Sequence, residues 1–346
     1  MDPYSDALPP LIRGLLDPFA YPAPSDRVEL VQTHISYIFL VGDRAYKVKK
    51  PVNFGFLDYS TLGRREHFCR REVELNRRLA PALYLGVEPI VETPAGERVG
   101  AEGVPVEWCV VMRRLPEDRL LSALLVRGEV ADEDIAPVAR KVAAFHREAE
   151  TCGAIDEFGR PETIRVNTDE NFHQLAPYVG RTISAAQLAR IRDFTDRFLA
   201  QKANRFAERI AEQRIRDCHG DLHAASICLT DDIQIFDCVE FNDRFRYGDV
   251  ASEVAFLAMD LERFGRADLA WRFVETYRQV SGDRLPDDLF QFYLCYRAVV
   301  RAKVESFALD DPEIPDTERA GARERAKVYV SLAWTHAQEA IDSTAA

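Results

Sequence analysis

The chain has 346 residues, 47% of them hydrophobic and 29% charged, with a formal net charge of −12. That is the composition of an ordinary globular protein of two or three folding units, and its acidity argues against nucleic acid or an anionic membrane as partner. No apolar run approaches the roughly 18–20 residues of a membrane span. The start, Met1-Asp2-Pro3-Tyr4, lacks the basic residues of a signal peptide. Seven scattered cysteines without C-x-x-C spacing fit reduced thiols in a cytoplasmic protein.

Residues 1–26 are proline-rich and read as a loose arm with one short helix near residues 11–16. Strand signals begin at Val28-Glu29-Leu30-Val31 and continue over 35–41; Gly42-Asp43 is a turn, and 44–49 alternates again. Of seven lysines in the chain, Lys47, Lys49 and Lys50 fall within four residues. On a strand Lys47 and Lys49 share a face. Such a cluster is either a solvated strand edge or a phosphate-binding lysine, a compact charge on a flexible stem, with Lys47 preferred over Lys49. A helix over about 63–79 puts Phe68, Glu72, Leu75 and Leu79 on one face. A carboxylate in that apolar stripe needs a cation, either Lys47 or one of Arg70, Arg71, Arg77 and Arg78.

Strands over 83–91 and 98–115, joined through the turn Thr93-Pro94-Ala95-Gly96, complete a mostly antiparallel sheet that stops at Arg113-Arg114-Leu115-Pro116. There is no G-x-G-x-x-G and no Gly-Lys dipeptide, hence no Walker A loop. Any phosphate cover would fall to Thr33-His34-Ile35-Ser36, with hydroxyls and backbone N–H groups.

Beyond residue 116 the pattern turns helical. Helices are expected over 120–125 and 132–152, then a polar, irregular stretch 153–183 with a short helix near 169–175, and one long amphipathic run over 184–213 opened by a Ser184/Gln187 capping box. Helices over 250–263, 266–281, 287–308 and 317–342 follow. Between these groups lies Cys218-His219-Gly220-Asp221-Leu222-His223-Ala224-Ala225-Ser226-Ile227, then a turn and a short apolar strand ending in Asp237. This compact unit could bring Asp221, Ser226 and Asp237 together: oxygen ligands for Mg²⁺ and a carboxylate beside an incoming hydroxyl. His219 and His223 also have zinc-ligand spacing, but Gly220 stands where a zincin carries glutamate and no third ligand motif is present. Metal-dependent hydrolysis is therefore the lesser reading.

His219-Gly220-Asp221-Leu222-His223, followed by Ser226-Ile227 and a strand ending in Asp237, resembles the H-G-D-x-H-x-x-N-[IV] … I-D pattern of the aminoglycoside phosphotransferase-like (choline and fructosamine kinase-like) families. The run Glu240–Arg246 looks like one subfamily, often found as the first half of a longer protein with a P-loop kinase second half. The resemblance implies an α+β, protein-kinase-like two-lobed fold: an arm over 1–26, a small antiparallel-sheet N-lobe over 27–113, and a helical C-lobe over 114–346. It implies ATP- and Mg²⁺-dependent phosphoryl transfer to a hydroxyl of a small molecule, and it leaves open whether a separate P-loop kinase partner replaces the second half of the longer relatives.

Ala45-Tyr46-Lys47 is similar to the lysine strand of kinase-like folds. The roles implied are Asp221 as acceptor of the hydroxyl proton, and Ser226 and Asp237 as Mg²⁺ ligands. Lys47, or Lys49 as second choice, would be aimed at the phosphates by Glu72, and backbone at Met112, Arg113 and Leu115 would meet adenine. Asp249 would cap a helix, and His146 and His219 would be structural. Two positions depart from the pattern: Ser226 replaces asparagine and Glu253 replaces aspartate. They motivate an alternative, a nucleotide-binding pseudokinase acting as an interaction module.

Overall fold

The structure, a computed structural model, describes residues 8–23, 25–311 and 314–345. The first seven residues of the expected arm lie outside them. The chain divides into two compact units, Met1–Leu120 with Ile227–Asp243, and Leu121–Ser226 with Arg244–Ala346. The first unit holds the whole expected small lobe and also takes in the segment 227–243, which local pattern alone groups with the helices.

The first unit opens with α1 (Pro10–Gly14), followed by β1 (Val28–Gln32), β2 (Ser36–Val41) and β3 (Arg44–Lys49). Then come α2 (Leu62–Asn76), β4 (Tyr84–Thr93), β5 (Gly96–Val99) and β6 (Pro105–Arg113). The six strands form one antiparallel sheet in the order β1-β2-β3-β6-β4-β5. Val41 pairs with Arg44 across the two-residue Gly42-Asp43 turn, where Gly42 takes a φ of 56°, a conformation that costs glycine nothing.

Alternation along β3 sends Tyr46 and Val48 into an apolar cluster with Ile12, Leu15, Tyr21 and Phe39. The arm is thus docked, not loose: the Tyr21 ring packs tilted by 48° against Tyr46, 4.7 Å between centroids, and its hydroxyl donates to the Leu15 carbonyl at 2.6 Å. The opposite phase of β3 carries Lys47 and Lys49. Thr61 caps α2, accepting from the Arg64 N–H at 3.3 Å, and α2 buries Cys69 and Val73 against Leu83, Tyr84 and Val110.

The second unit runs through α3 (Leu121–Arg127), α4 (Asp132–Glu148), α5 (Gly153–Asp156), α6 (Pro161–Leu175), α7 (Ala185–Gln201), α8 (Ala203–Ala211) and β7 (Ile215–Asp217). Helix α6 occupies much of the stretch expected to be irregular; it buries Ile164, Thr168, Asn171, Phe172 and Leu175 on one face, two of them polar, so its apolar period is weak. The expected single helix over 184–213 breaks at Lys202, whose φ/ψ of −112°/25° separates α7 from α8.

After Ser226 the chain returns to the first unit with β8 (Ile227–Cys228) and β9 (Gln234–Ile235), which pair antiparallel. It then re-enters the second with α9 (Asp243–Arg246), β10 (Tyr247–Asp249), α10 (Val250–Arg263), α11 (Ala267–Ser281), α12 (Asp287–Phe307) and α13 (Asp316–Ala345). Every residue of α10 from Val250 to Leu261 is buried, the mark of a central helix. Around it pack α11 and α12, with α4 against α11 and α6 and α13 against α12.

Asp249 caps α10, accepting from the Ala251 N–H at 2.9 Å, and is itself held by Arg209. Among the described residues no helix is long and apolar enough to cross a membrane. All seven cysteines are free thiols, six of them buried.

Candidate active site

In the first unit a chain of alternating charges runs through the face of β3 that meets α2. Lys47 Nζ donates to Glu72 Oε1 at 2.8 Å and to Asp237 Oδ1 at 2.7 Å. Lys49 Nζ donates to Glu72 Oε2 at 2.6 Å and also to Glu240, which accepts from the Tyr59 hydroxyl at 2.5 Å. Each Glu72 oxygen therefore has its own lysine, and the arginines that offered alternative pairing do not reach it.

Burial works against charge on Lys47, but Asp237 and Glu72 outweigh it and hold its ammonium well above the ordinary lysine range. For Glu72 burial is likewise outweighed, by Lys47 and Lys49, and its carboxyl sits below the usual value. The two lysines have different outlets. Lys49 is fully enclosed, whereas Lys47 is bonded to the Asp237 side chain, which is 58% exposed.

Asp237 follows β9 with a φ of 65°, the left-handed region that a non-glycine residue rarely takes. Its N–H donates to the Tyr84 hydroxyl at 3.2 Å, and the next N–H, of Cys238, donates to Asn76 Oδ1 at 2.9 Å. Tyr84 and Asn76 were not singled out from sequence; the available signal was Asn76 at i+4 from Glu72, on the same buried face of α2. Asp237 Oδ2 has no bond among the described residues, so a carboxylate oxygen there is open to a cation.

The backbone after β6 is partly committed. The Arg113 N–H donates to the Leu83 carbonyl at 2.9 Å and the Arg114 N–H to the Asp43 carbonyl at 2.8 Å. The Leu115 N–H makes no such bond, which leaves it as the donor in the expected adenine segment; Met112 and Leu115 side chains pack against the α2 cluster. The expected phosphate cover is not arranged for that task. Thr33 Oγ1 accepts from the N–H groups of Ile35 and Ser36 at 3.3 and 3.0 Å, and the Thr33 N–H donates to the Ser36 carbonyl at 2.9 Å.

In the second unit the loop 219–226 carries Asp221, whose side chain is 36% exposed and lies 3.3 Å from His223 Nε2. Burial pushes the Asp221 carboxyl up, but His223, Arg301 and His219 prevail and keep it well below the usual carboxylate range. The loop is held from α10. Glu253 accepts from the backbone N–H of His219 at 2.8 Å and of Gly220 at 2.6 Å, and pairs with His146 Nε2 at 2.7 Å. The longer glutamate in place of aspartate thus anchors the loop directly.

Asp260 adds a bond from the Ala224 N–H at 2.9 Å. Ser226 is 3% exposed and tied into the loop, its hydroxyl donating to the His223 carbonyl at 2.8 Å and accepting from the His223 N–H at 3.2 Å.

The zinc reading finds little support. His219 and His223 lie in a loop, not on a helix. Among the described residues the group with ligand atoms close enough for one ion is His146, Cys218 and Glu253. There Glu253 is occupied by backbone N–H groups, and burial pushes the Cys218 thiol well above its ordinary value.

Residues 48–289 match the phosphotransferase enzyme family. Uncharacterized proteins of Mycobacterium tuberculosis (strain H37Rv) and Mycobacterium bovis are 39% identical over 289 residues, covering 83% of this chain and 56% of theirs. The chain thus spans about half the length of the curated relatives it matches. A solved Ralstonia eutropha protein, whose proposed activity is aminoglycoside phosphotransfer, matches with a TM-score of 0.50 at 12% identity, over 90% of this chain and 92% of that one. That likeness concerns the fold, the protein-kinase-like one with an antiparallel sheet followed by helices. The chain belongs to the phosphotransferase enzyme family.

Proposed function

We propose that this chain transfers the terminal phosphoryl group of ATP to a hydroxyl of a small molecule. The observation that carries the reading is Lys47, a nearly buried ammonium tied to a fully buried glutamate and to an exposed aspartate. Asp237 keeps its side chain open to solvent on a left-handed backbone, so its contact with Lys47 is one that a ligand can reach. Phosphate oxygens replacing Asp237 on Lys47 would keep that cation paired while releasing the carboxylate.

Asp237 is the residue that would hold Mg²⁺, its unengaged oxygen suiting a hard cation that keeps several waters. Bound there, the ion supplies charge neutralisation on the phosphates. Ser226 fits less well, because its hydroxyl is buried in bonds to its own loop. Asp221, kept ionised by its neighbours, accepts a hydrogen bond from the incoming hydroxyl, orients it, and takes its proton late in the transfer. Glu253 acts as a positioning residue for that loop. Adenine is read by the Leu115 N–H and the carbonyls of Met112 and Arg113, and Lys49 keeps Glu72 ionised.

The test is thermal stability with Mg²⁺ and a non-hydrolysable ATP analogue. A ligand at about 100 times its Kd adds about 2.7 kcal/mol, a rise of roughly a few degrees. The wild type is expected to show that rise and Asp237→Asn to lose it; no rise with any nucleotide in the wild type refutes the nucleotide site. The enclosed Ser226 hydroxyl favours a second reading, the interaction module. Ser226→Asn separates the two: turnover that appears or climbs steeply marks an enzyme, and unchanged silence marks the module.

A further inference from the structure

Two cations of α12 have no carboxylate partner within 4.0 Å among the described residues, and they differ in how they are satisfied. Arg297 donates to the Ser252 hydroxyl at 2.9 Å and to the Gly220 carbonyl of the Asp221 loop at 3.3 Å. Lys303 has one bond, to Asn171 Oδ1 of α6 at 2.8 Å, and lies 5.9 Å from the Phe307 ring centroid. An ammonium has three donors, and a neutral amide returns no charge to it. The nearby carboxylate, Glu170, is already bonded to Arg244 at 2.5 Å. The local sum therefore stays positive.

The Asn171 bond also fixes the orientation of its amide. With Oδ1 on Lys303, Nδ2 is the other end; this buried atom makes no hydrogen bond of ordinary length and has only a weak interaction with the Tyr296 hydroxyl, in a residue only 4% exposed. Asn167, Asn171 and Gln174 stand at i, i+4 and i+7 along α6, one face of the helix. Each leaves one buried polar atom unmatched: Asn167 Oδ1, Asn171 Nδ2 and Gln174 Oε1. Native proteins keep few such atoms, and each asks for a partner. Here one donor and two acceptors share a face beside an under-paired lysine.

We propose that Lys303 and Asn171 bind an oxyanion, carboxylate or phosphate, carried by the hydroxyl acceptor, with Asn167 and Gln174 receiving its hydroxyl groups. The inference rests on the phosphotransferase reading and narrows its acceptor to an anionic polyol-like molecule, away from polycations and quaternary amines. Helix α12 also carries, on another face, Arg297, bonded to the Asp221 loop, and Arg301, which helps hold Asp221 ionised. Burial lowers the Lys303 ammonium to about 8 against the opposing pull of Glu170, and a bound oxyanion would restore its full charge.

The test is thermal stability without nucleotide, using inorganic phosphate, glycerol 3-phosphate and glycerate against glycerol and choline. The wild type is expected to rise by a few degrees with the oxyanions and not with glycerol or choline; phosphate against glycerate separates the two oxyanion sources. Lys303→Met removes an under-paired, half-buried cation, so it keeps or gains stability and loses the oxyanion rise. Should that variant fail to fold, Asn171→Leu carries the same expectation. Asp237→Asn is run alongside, and is expected to keep the oxyanion rise while losing the Mg²⁺–nucleotide rise, so failure of the subsite and failure of the nucleotide reading are separate results. No oxyanion rise in the wild type, or one that both Lys303→Met and Asn171→Leu retain, overturns the proposal.

Discussion

Glu72 on α2 and Glu253 on α10 are both enclosed carboxylates, 0% and 1% exposed, yet their partners differ in kind. Glu72 takes two ammonium groups, Lys47 on one oxygen and Lys49 on the other. Glu253 takes two backbone N–H groups and a histidine. Burial raises the pKa of both, and in both it loses: to the lysines at Glu72, and to His146 and His219 at Glu253. One carboxylate therefore sets a charge pattern, while the other sets the course of a main chain. The second role matches Gly220, whose φ of 90° is open to glycine and strained for other residues.

The largest expected effect comes from breaking the charge pattern. Glu72→Gln leaves two buried ammonium groups facing a neutral amide, which costs about 3–5 kcal/mol. Urea unfolding should show that loss, and binding of the ATP analogue should weaken with it. Glu253→Gln keeps one carbonyl for the backbone N–H groups and loses a charge-assisted bond, about 1.5–3 kcal/mol. If the Glu253 variant proves the less stable of the two, the contrast between charge and shape is misdrawn.

Acidity sharpens the same contrast. The Glu253 carboxyl is held at about 2 against an ordinary 4.5. A depressed carboxyl stabilises above its unfolded value and loses that contribution as pH falls toward the folded one. The stability deficit of Glu253→Gln relative to wild type should therefore be full above pH 4.5 and shrink toward pH 2, by on the order of 3 kcal/mol. The Glu72→Gln deficit should shrink in acid too, and also in strong alkali. The lysines are raised in the fold, so the stability they draw from Glu72 is full below pH 10.5 and lost as pH climbs through their folded values. Denaturant midpoints for the three proteins across pH would show both windows for Glu72 and the acid window alone for Glu253.

The sequence made the Glu72 side of this comparison legible because two periods agree. Position i+4 on an apolar helix face buries Glu72, and period two on β3 puts both lysines on one side. It left open which lysine pairs, and the structure uses both, because Glu240, 191 residues beyond Lys49, supplies the second carboxylate from a loop without periodicity. The motif around Asp221 was legible as residue types, but not the bonds that enclose the Ser226 hydroxyl, which depend on backbone turns.

Proline content suggested a loose arm, yet Ile12, Leu15 and Tyr21 meet the sheet through side chains too sparse to form a period. Helix α6 was missed for the opposite reason, since its buried face includes Thr168 and Asn171. The turn at Thr33–Ser36 has hydroxyls that suit phosphate, but the N–H groups of Ile35 and Ser36 face Thr33 Oγ1, a local closure that residue types do not reveal.

The smallest effect expected lies one bond behind Glu253. His146 Nε2 faces Glu253 at 2.7 Å, so in the neutral ring the proton belongs on that nitrogen and Nδ1 accepts from the Tyr277 hydroxyl at 2.9 Å. Tyr277→Phe removes one neutral donor and leaves a ring nitrogen buried, a loss of about 0.5–1.5 kcal/mol in urea unfolding. Its sharper use is in combination. Glu253→Gln already changes what His146 faces, so the double variant with Tyr277→Phe should lose less than the sum of the two. Glu72→Gln shares no partner with Tyr277, and there the losses should add within about 0.5 kcal/mol. Additive losses in both pairs would mean that His146 does not transmit the Tyr277 bond to the loop, and that Glu253 holds the backbone of Gly220 without help from behind.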